Sequence, residues 1–346
     1  MFENEEKTSI ESLGEFGLIN HLTKQVELKN KNSIKGIGDD AAVLDFTGKK
    51  ALVSTDMLLE GIHFDLAYTP LKHLGYKAIQ VNLSDIYAMN GTATQVTVSL
   101  GLSSKFPLEA IEELYEGIYL ACEKNKIDLV GGDTTSSRQG LVISVTALGY
   151  ADEKDIVYRN TAEEGDLICV SGDLGGAYIG LQLLEREKQV YLENPNIQPD
   201  LEGKDYIVER QLKPEARRDI IELLKEIGVK PTAMIDISDG LASETLHICT
   251  QSNKGCNLYE EKIPIDPMTY ETAREFNLDP TVCALSGGED YELLFTVKQI
   301  DYEKMKNLAD ISFIGYITEP SAGRNLVTKS GAVHELKAQG WNAFKP

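Results

Sequence analysis

Paired cysteines are missing from this sequence. The five cysteines among 346 residues, Cys122, Cys169, Cys249, Cys256 and Cys283, are scattered and form no CxxC. That pattern speaks against a disulfide framework and against thiolate zinc, and fits reduced thiols in a cytoplasmic protein. No apolar run approaches the roughly 20 residues of a membrane helix. The first residues, MFENEEKTSI, offer neither the basic start nor the apolar stretch of a secretory signal. Basic charge is scarce too: 34 Lys+Arg against 55 Asp+Glu give a formal charge of −21. Nucleic acid and anionic membranes are therefore poor partners, whereas a polyphosphate can still bind if cations bridge the charges. Finally, no Walker A GxxxxGK[ST] occurs, so an ATP site here cannot be of the P-loop kind.

What is present suits two α/β domains. A chain of 346 residues, 42% hydrophobic, exceeds one typical domain and can bury a sizeable core. AAVLDF and ALVST read as short strands around the turn TGKK. Residues 71–90 keep a helical period that puts Ala78, Asn82, Asp85 and Met89 on one face. TATQVTVSLGL reads as a strand, and Pro107 opens a helix with Leu108, Ile111, Tyr115, Ile118 and Cys122 along one side. The polar run ADEKDIVYRNTAEEGD marks a boundary near 150–165, giving expected domains 1–150 and 151–346. The second half mixes helices (173–188, 214–228, 238–253, 267–276) with strands (233–237, 289–297, 311–317). Residues 189–206, rich in Pro, Asn and acid, read as a long surface loop.

Six stretches set aspartates at the ends of apolar runs or in glycine-rich turns: GIGDDAAV (36–43), VSTDMLLEGIHF (53–64), NLSD (82–85), LVGGDTT (129–135), MIDISDG (234–240) and LSGGEDYEL (285–293). A carboxylate at a strand end is held near the sheet edge where α/β proteins bind ligands, and adjacent glycines let a phosphate approach. Converging aspartates repel one another unless Mg²⁺ neutralises them. Any one stretch has a plainer reading as a turn or helix cap, and in MIDISDG either Ser238 or Asp239 could be the N-cap. Six together point to a phosphate site with several metal ions.

Three motifs mislead. GIGDDA fits the letters of a dinucleotide fingerprint, but it follows the polar KNKNSIK, and Asp39 and Asp40 would face a pyrophosphate. GDLGGA (172–177) could offer backbone N–H groups to an anion at a helix start, but it is more often a turn. DISDG lacks the ligand spacing of a calcium loop.

In order along the chain, GEFGLI (14–19), IGDDAAV, STDMLLEGIHF, YKAIQVNLSD, LVGGDTT, VYRNTAEEGD, MIDISDGL and LSGGEDYELLFT resemble the successive motifs of thiamine-monophosphate kinases. These belong to the superfamily of aminoimidazole ribonucleotide synthetase, selenophosphate synthetase and a hydrogenase maturation protein. The resemblance implies an aminoimidazole ribonucleotide synthetase-like α/β (α+β) fold: an N-terminal sheet used for homodimerisation, a C-terminal α/β domain, and ATP and metals at the cleft between them. It implies Mg²⁺ ligands at Asp40, Ser54, Thr55, Asp56, Asp85, Asp133, Asp236 and Asp239. It implies nucleotide contacts at Gly132, Asp133, Arg159 and Ser238, and acceptor contacts at His63, Glu289 and a C-terminal aromatic, Phe344 in preference to Trp341. Outside the motif context His63 reads as a packed core histidine and Arg159 as half of a surface ion pair. No protein nucleophile is expected, because the histidines are dispersed and only His63 lies in a motif.

A selenophosphate synthetase would carry a reactive Cys near its N-terminal loop, and the hydrogenase protein a C-terminal Cys. Here the first is Cys122 and the tail ends at Pro346. Aminoimidazole ribonucleotide synthetase is separated only by the closer likeness of STDMLLEGIHF and GGEDYEL to the kinases. A metal-dependent nucleotide-binding module without chemistry is a further reading, which the large number of aspartates disfavours.

Overall fold

The computed structural model describes residues 21–35 and 43–339. The chain forms two compact units, the first of residues 1–86 and 91–154, the second of 87–90 and 155–346.

In the first unit a small ladder pairs β1 (Ser33–Lys35) with β2 (Val43–Leu44). The main sheet has four strands in the order β3 (Lys50–Leu59), β6 (Val142–Ala151), β4 (Thr92–Leu102), β5 (Asp128–Ser136). Only the β4–β5 pair is parallel. AAVLDF and ALVST are thus not partners: β2 pairs β1, whereas β3 pairs β6. The faces differ sharply. Ile143, Val145 and Ala147 of β6 are buried, and the residues that alternate with them, Ser144, Thr146 and Leu148, are half-exposed. Helix α1 (Leu71–Ala88) lies over the buried face, since its Asn82 and Asp85 hydrogen-bond β3. Helix α2 (Leu108–Asn125) packs on α1 with backbone nearly touching backbone. A Cβ added at Gly75 would stand 1.9 Å from the Leu114 carbonyl oxygen, and one at Gly117 1.9 Å from that of Lys72, so only glycine fits either position. The helical face Leu108, Ile111, Tyr115, Ile118 and Cys122 is buried, as its spacing requires. On the other face Val53 is 64% and Met57 52% exposed, which leaves a partly apolar sheet surface.

The second unit holds a seven-stranded sheet in the order β13 (Val333–Glu335), β12 (Arg324–Val327), β9 (Gly255–Tyr259), β11 (Ile311–Thr318), β7 (Leu167–Ser171), β10 (Leu293–Val297), β8 (Ala233–Asp236). One core combines Ile168, Val170, Ile235, Leu258, Leu294 and Ile314 with Leu241 and Ile248 of α6 (Leu241–Gln251). A second joins Ile179 and Leu183 of α3 (Gly176–Glu193), Ile207 of α4 (Asp205–Leu212), Ala273 of α7 (Pro267–Glu275) and Cys283 of α8 (Pro280–Ser286). Between them in sequence, α5 (Arg218–Glu226) buries Ile220, Ile221 and Leu224. The expected loop 189–206 is shorter than its composition suggested. Helix α3 continues to Glu193 and α4 begins at Asp205, because Val190 and Ile207 extend the apolar period beyond the Pro- and Asn-rich middle. All five cysteines are buried and unpaired.

Candidate active site

On the first unit, β3 and α1 bring Ser54, Asp56 and Asp85 together. Strand alternation turns Ser54 and Asp56 toward α1 and Thr55 toward the open face. There the Thr55 hydroxyl donates to the Val145 carbonyl and accepts from Thr146, each at 3.0 Å. The Ser54 hydroxyl donates to Asp85, and the Asp56 N–H donates to Asn82 Oδ1 at 2.9 Å. Much of the Asp56 residue is open to solvent, yet crowding around its carboxyl, helped by the charge of Asp85, pushes its pKa up to about 6. Two mutually repelling carboxylates beside a hydroxyl oxygen suit a hard cation, so these oxygens fit Mg²⁺.

His63 follows β3 in a tight turn. Gly61, at φ 80°, closes it by donating its N–H to Phe64 O, and the His63 N–H returns to Leu59 O. The Leu59 N–H donates to Nδ1 at 3.1 Å, which assigns the proton of the neutral ring to Nε2. The half-buried ring is therefore positioned by backbone and has a donor of defined identity.

Gly132 and Asp133 sit on β5, at the opposite edge. Asp133 is in register with Ser99, Ser99 with Ser144, and Ser144 with Met57. Within one chain, three strand spacings of about 4.8 Å separate Asp133 from the Asp56 region by about 14 Å. Two oxygens on one Mg²⁺ lie at most about 4 Å apart. The same register turns Asp133 to the open face, with Thr55 and away from Asp56. A Cβ at Gly132 would come 1.9 Å from the Val98 carbonyl oxygen, so the glycine is required by the strand pairing itself.

In the second unit, the loop after β8 carries Asp236, Ser238 and Asp239, and the loop before β10 carries Glu289. Backbone bonds stitch the two together: Glu289 N–H to Ser238 O at 2.7 Å, Tyr291 N–H to Ile237 O at 2.8 Å and Ile237 N–H to Glu292 O at 2.7 Å. Neither Ser238 nor Asp239 caps α6; the N-cap is Gly240, at φ 116°, with no side-chain cap. Glu244 reaches back from α6 instead, its Oε1 accepting the Asp239 N–H at 3.1 Å. Burial raises the pKa of Asp239. Burial also pushes Glu244 up to about 8, and the charges of Asp239 and Asp236 add to the rise. Asp236 is buried at 4% exposure. Glu289 stands at φ 66°, and its Oε2 accepts from Gln211 Nε2 at 2.8 Å.

The glycine-rich GDLGGA does present N–H groups at the start of α3, but to an anion of its own chain. Gly175 and Ala177 donate to the Asp290 carboxylate at 2.7 and 3.3 Å. Asp290 is fully buried and is pushed up to about 7 by that burial, with Arg210 opposing. Arg210 donates to Glu292 at 2.9 Å and to the Asp173 and Asp290 carbonyls at 3.0 and 3.3 Å. Arg159 is half-exposed, and among the described residues no acid pairs with its guanidinium.

Among the described residues no group of three or more His, Cys, Asp or Glu side chains is gathered tightly enough to hold a metal by itself. Asp40, Trp341 and Phe344 lie outside the described residues, as does GIGDDA. Glu244, Gln211 and Arg210 stand outside the six aspartate stretches, whereas Asp290 lies within one of them, LSGGEDYEL, and serves the fold. For Glu244 a signal existed: it shares the buried side of α6 with Leu241, Thr245 and Ile248, where an acid is costly without a purpose.

Known proteins resemble the chain along nearly its whole length. The family described as AIR synthase related protein, N-terminal domain, matches residues 38–151. Thiamine-monophosphate kinase of Aquifex aeolicus (strain VF5) is 36% identical over 335 residues, covering 97% of this chain and 99% of that protein. Among solved structures, thiamine-monophosphate kinase from Stenotrophomonas maltophilia K279a is similar with a TM-score of 0.78 at 31% identity, covering 94% of this chain and 98% of that one. AaThiL complexed with AMPPCP and TMP is similar with a TM-score of 0.74 at 32% identity, covering 99% of this chain and 100% of that one.

Proposed function

Since the chain belongs to the thiamine-monophosphate kinase family, we propose that it transfers the γ-phosphoryl of ATP to thiamine monophosphate, yielding ADP and thiamine diphosphate. The observation that carries this reading is the full-length match to a kinase bound to an ATP analogue and TMP.

Mg²⁺, when bound, would screen the charge between the two anionic substrates and stabilise the transferring phosphoryl. We assign its ligands to Ser54, Thr55, Asp56, Asp85, Asp133 and Asp40 of the first unit, and to Asp236 and Asp239 of the second. Gly132, Arg159 and Ser238 contact the nucleotide. His63, Glu289 and Phe344 hold the acceptor, with His63 Nε2–H as a donor toward its phosphate. The acceptor phosphate is ionised at neutral pH, so alignment rather than a general base is what the protein supplies, and transfer is direct.

The enzyme is a cytoplasmic homodimer in this reading. Support for the dimer is the open face of the first unit's sheet, where Val53, Thr55 and Met57 lie exposed. Asp133 lies on the same face but at the far edge from Thr55. Twofold packing of two such faces can bring Asp133 of one copy toward Thr55 of the other, which one chain alone does not do. Five unpaired cysteines and a charge of −21 support the cytoplasm. The described residues include no helix long and apolar enough to cross a membrane.

ADP release from ATP and Mg²⁺ should depend on thiamine monophosphate. Free thiamine, which lacks the anchoring phosphate, should serve far worse, and a comparable kcat/KM for thiamine would overturn the assignment.

A further inference from the structure

Resting on that function, we infer that Gln211 is a positioning residue for the acceptor, acting through the carboxylate of Glu289. Glu289 occupies a left-handed backbone position, φ 66°, which a residue with a Cβ holds only when its surroundings enforce it. Its backbone is fixed by the bond to Ser238 O. Its side chain is fixed by Gln211, whose Nε2 donates to Oε2 at 2.8 Å. With one oxygen anchored, the carboxylate loses its free rotation and presents a defined edge.

The donor is itself immobile. Gln211 is 4% exposed on α4, and that helix is clamped at two points. A Cβ at Gly180 of α3 would stand 2.0 Å from the Ile207 carbonyl oxygen, so the two helices touch backbone to backbone. The neighbouring Arg210 grips the residue after Glu289 by its carbonyl, at 3.3 Å, and the carboxylate of Glu292 at 2.9 Å. Consecutive residues of α4 thus hold the same loop, Arg210 by its backbone and Gln211 by the side chain that faces the acceptor. An amide donor suits this task better than a cation, because it orients the carboxylate without neutralising it. The acceptor is a cation in its thiazolium ring, and full negative charge on Glu289 favours it.

The test is a double-mutant cycle of Gln211→Met and Glu289→Ala in the full-length enzyme, with KM for thiamine monophosphate, KM for ATP, kcat and Tm measured for each. A lost hydrogen bond to a charged group predicts that Gln211→Met raises KM for thiamine monophosphate about tenfold. KM for ATP should stay within about a factor of two. In the Glu289→Ala background the same change should have no further effect. Gln211→Glu, nearly isosteric, sets a second carboxyl against the first and should raise the acceptor KM as well, which keeps the test open if the Met variant does not fold. Should Glu289→Ala raise the acceptor KM while neither Gln211 variant does, or should the two losses simply add, the inference falls alone. An unchanged acceptor KM in Glu289→Ala removes Glu289 from the acceptor site, and the role of Gln211 falls with it. Parallel loss of ATP and acceptor affinity would mark Gln211 as merely structural.

Discussion

Replacing Glu244 by Gln should make the protein more stable at neutral pH and leave it nearly unchanged in acid. The residue is 2% exposed; Oε1 accepts the Asp239 N–H, and no protein group bonds Oε2 among the described residues. Burial pushes its pKa from 4.5 up to about 8. A raised carboxyl pKa means the folded chain holds a proton that the unfolded chain has released, so stability is fully present below pH 4.5 and falls as pH rises toward 8. At about 1.4 kcal/mol per pH unit, the loss is about 3 kcal/mol by pH 7 and about 5 kcal/mol by pH 9. Gln keeps the acceptor for Asp239 and carries no charge, so it escapes this loss. Urea unfolding followed by circular dichroism between pH 4.5 and 8.5, with EDTA present, should show a gap between variant and wild type that opens across this window. For a unit of this size, about 3 kcal/mol corresponds to roughly 6–12 °C in Tm at pH 7. Mg²⁺ should narrow the gap, since a cation at Asp236 and Asp239 offsets the charges that help keep Glu244 protonated. A gap independent of pH would refute the reasoning.

Asp56→Asn should lower kcat by about 10²-fold or more, with partial recovery at high Mg²⁺; a folded variant with near-native turnover would remove Asp56 from the site. In the wild type the Mg²⁺ concentration for half-maximal rate should rise as pH falls from 7 through 6, because protons then compete for a carboxyl whose pKa is about 6, and a flat profile would contradict this. Gly132→Ala should destabilise the first unit by about 1–3 kcal/mol or more, since its Cβ would meet the Val98 carbonyl oxygen at 1.9 Å, as thermal unfolding would show. Met57→Lys, on the open sheet face, should give a monomer by sedimentation and a large fall in activity; a fully active monomer would mean that one chain suffices.

Regular structure was legible wherever one period ran unbroken. The buried face Leu108, Ile111, Tyr115, Ile118 and Cys122 and the alternation along β4 are local patterns that survive in the fold. Composition misled at 189–206, where Pro195 and Asn196 drew attention from the helices on either side. Pairing was less legible, because AAVLDF and ALVST are neighbours in sequence yet find different partners, β1 and β6.

The same distinction between local and distant information governs the site. An aspartate at the end of an apolar run or beside glycines announces itself by type and spacing, so residues such as Asp56, Asp133 and Asp239 could be singled out without any structure. What those letters could not tell is which edge and face of the sheet each would occupy. Asp56 and Asp133 look equivalent in sequence, but register sets them three strands apart and on opposite faces. The supporting groups were hidden for a related reason. Gln211 and Arg210 lie in ordinary helical stretches and acquire meaning only through distant partners. Gln211 meets Glu289 across 78 positions, and Arg210 meets Glu292 across 82. GDLGGA shows the reverse error. Its N–H groups are built to hold an anion, and the fold supplies one from Asp290, more than a hundred residues away in sequence. A motif thus states which chemistry a backbone can perform; the tertiary fold decides whether a ligand or the chain itself receives it.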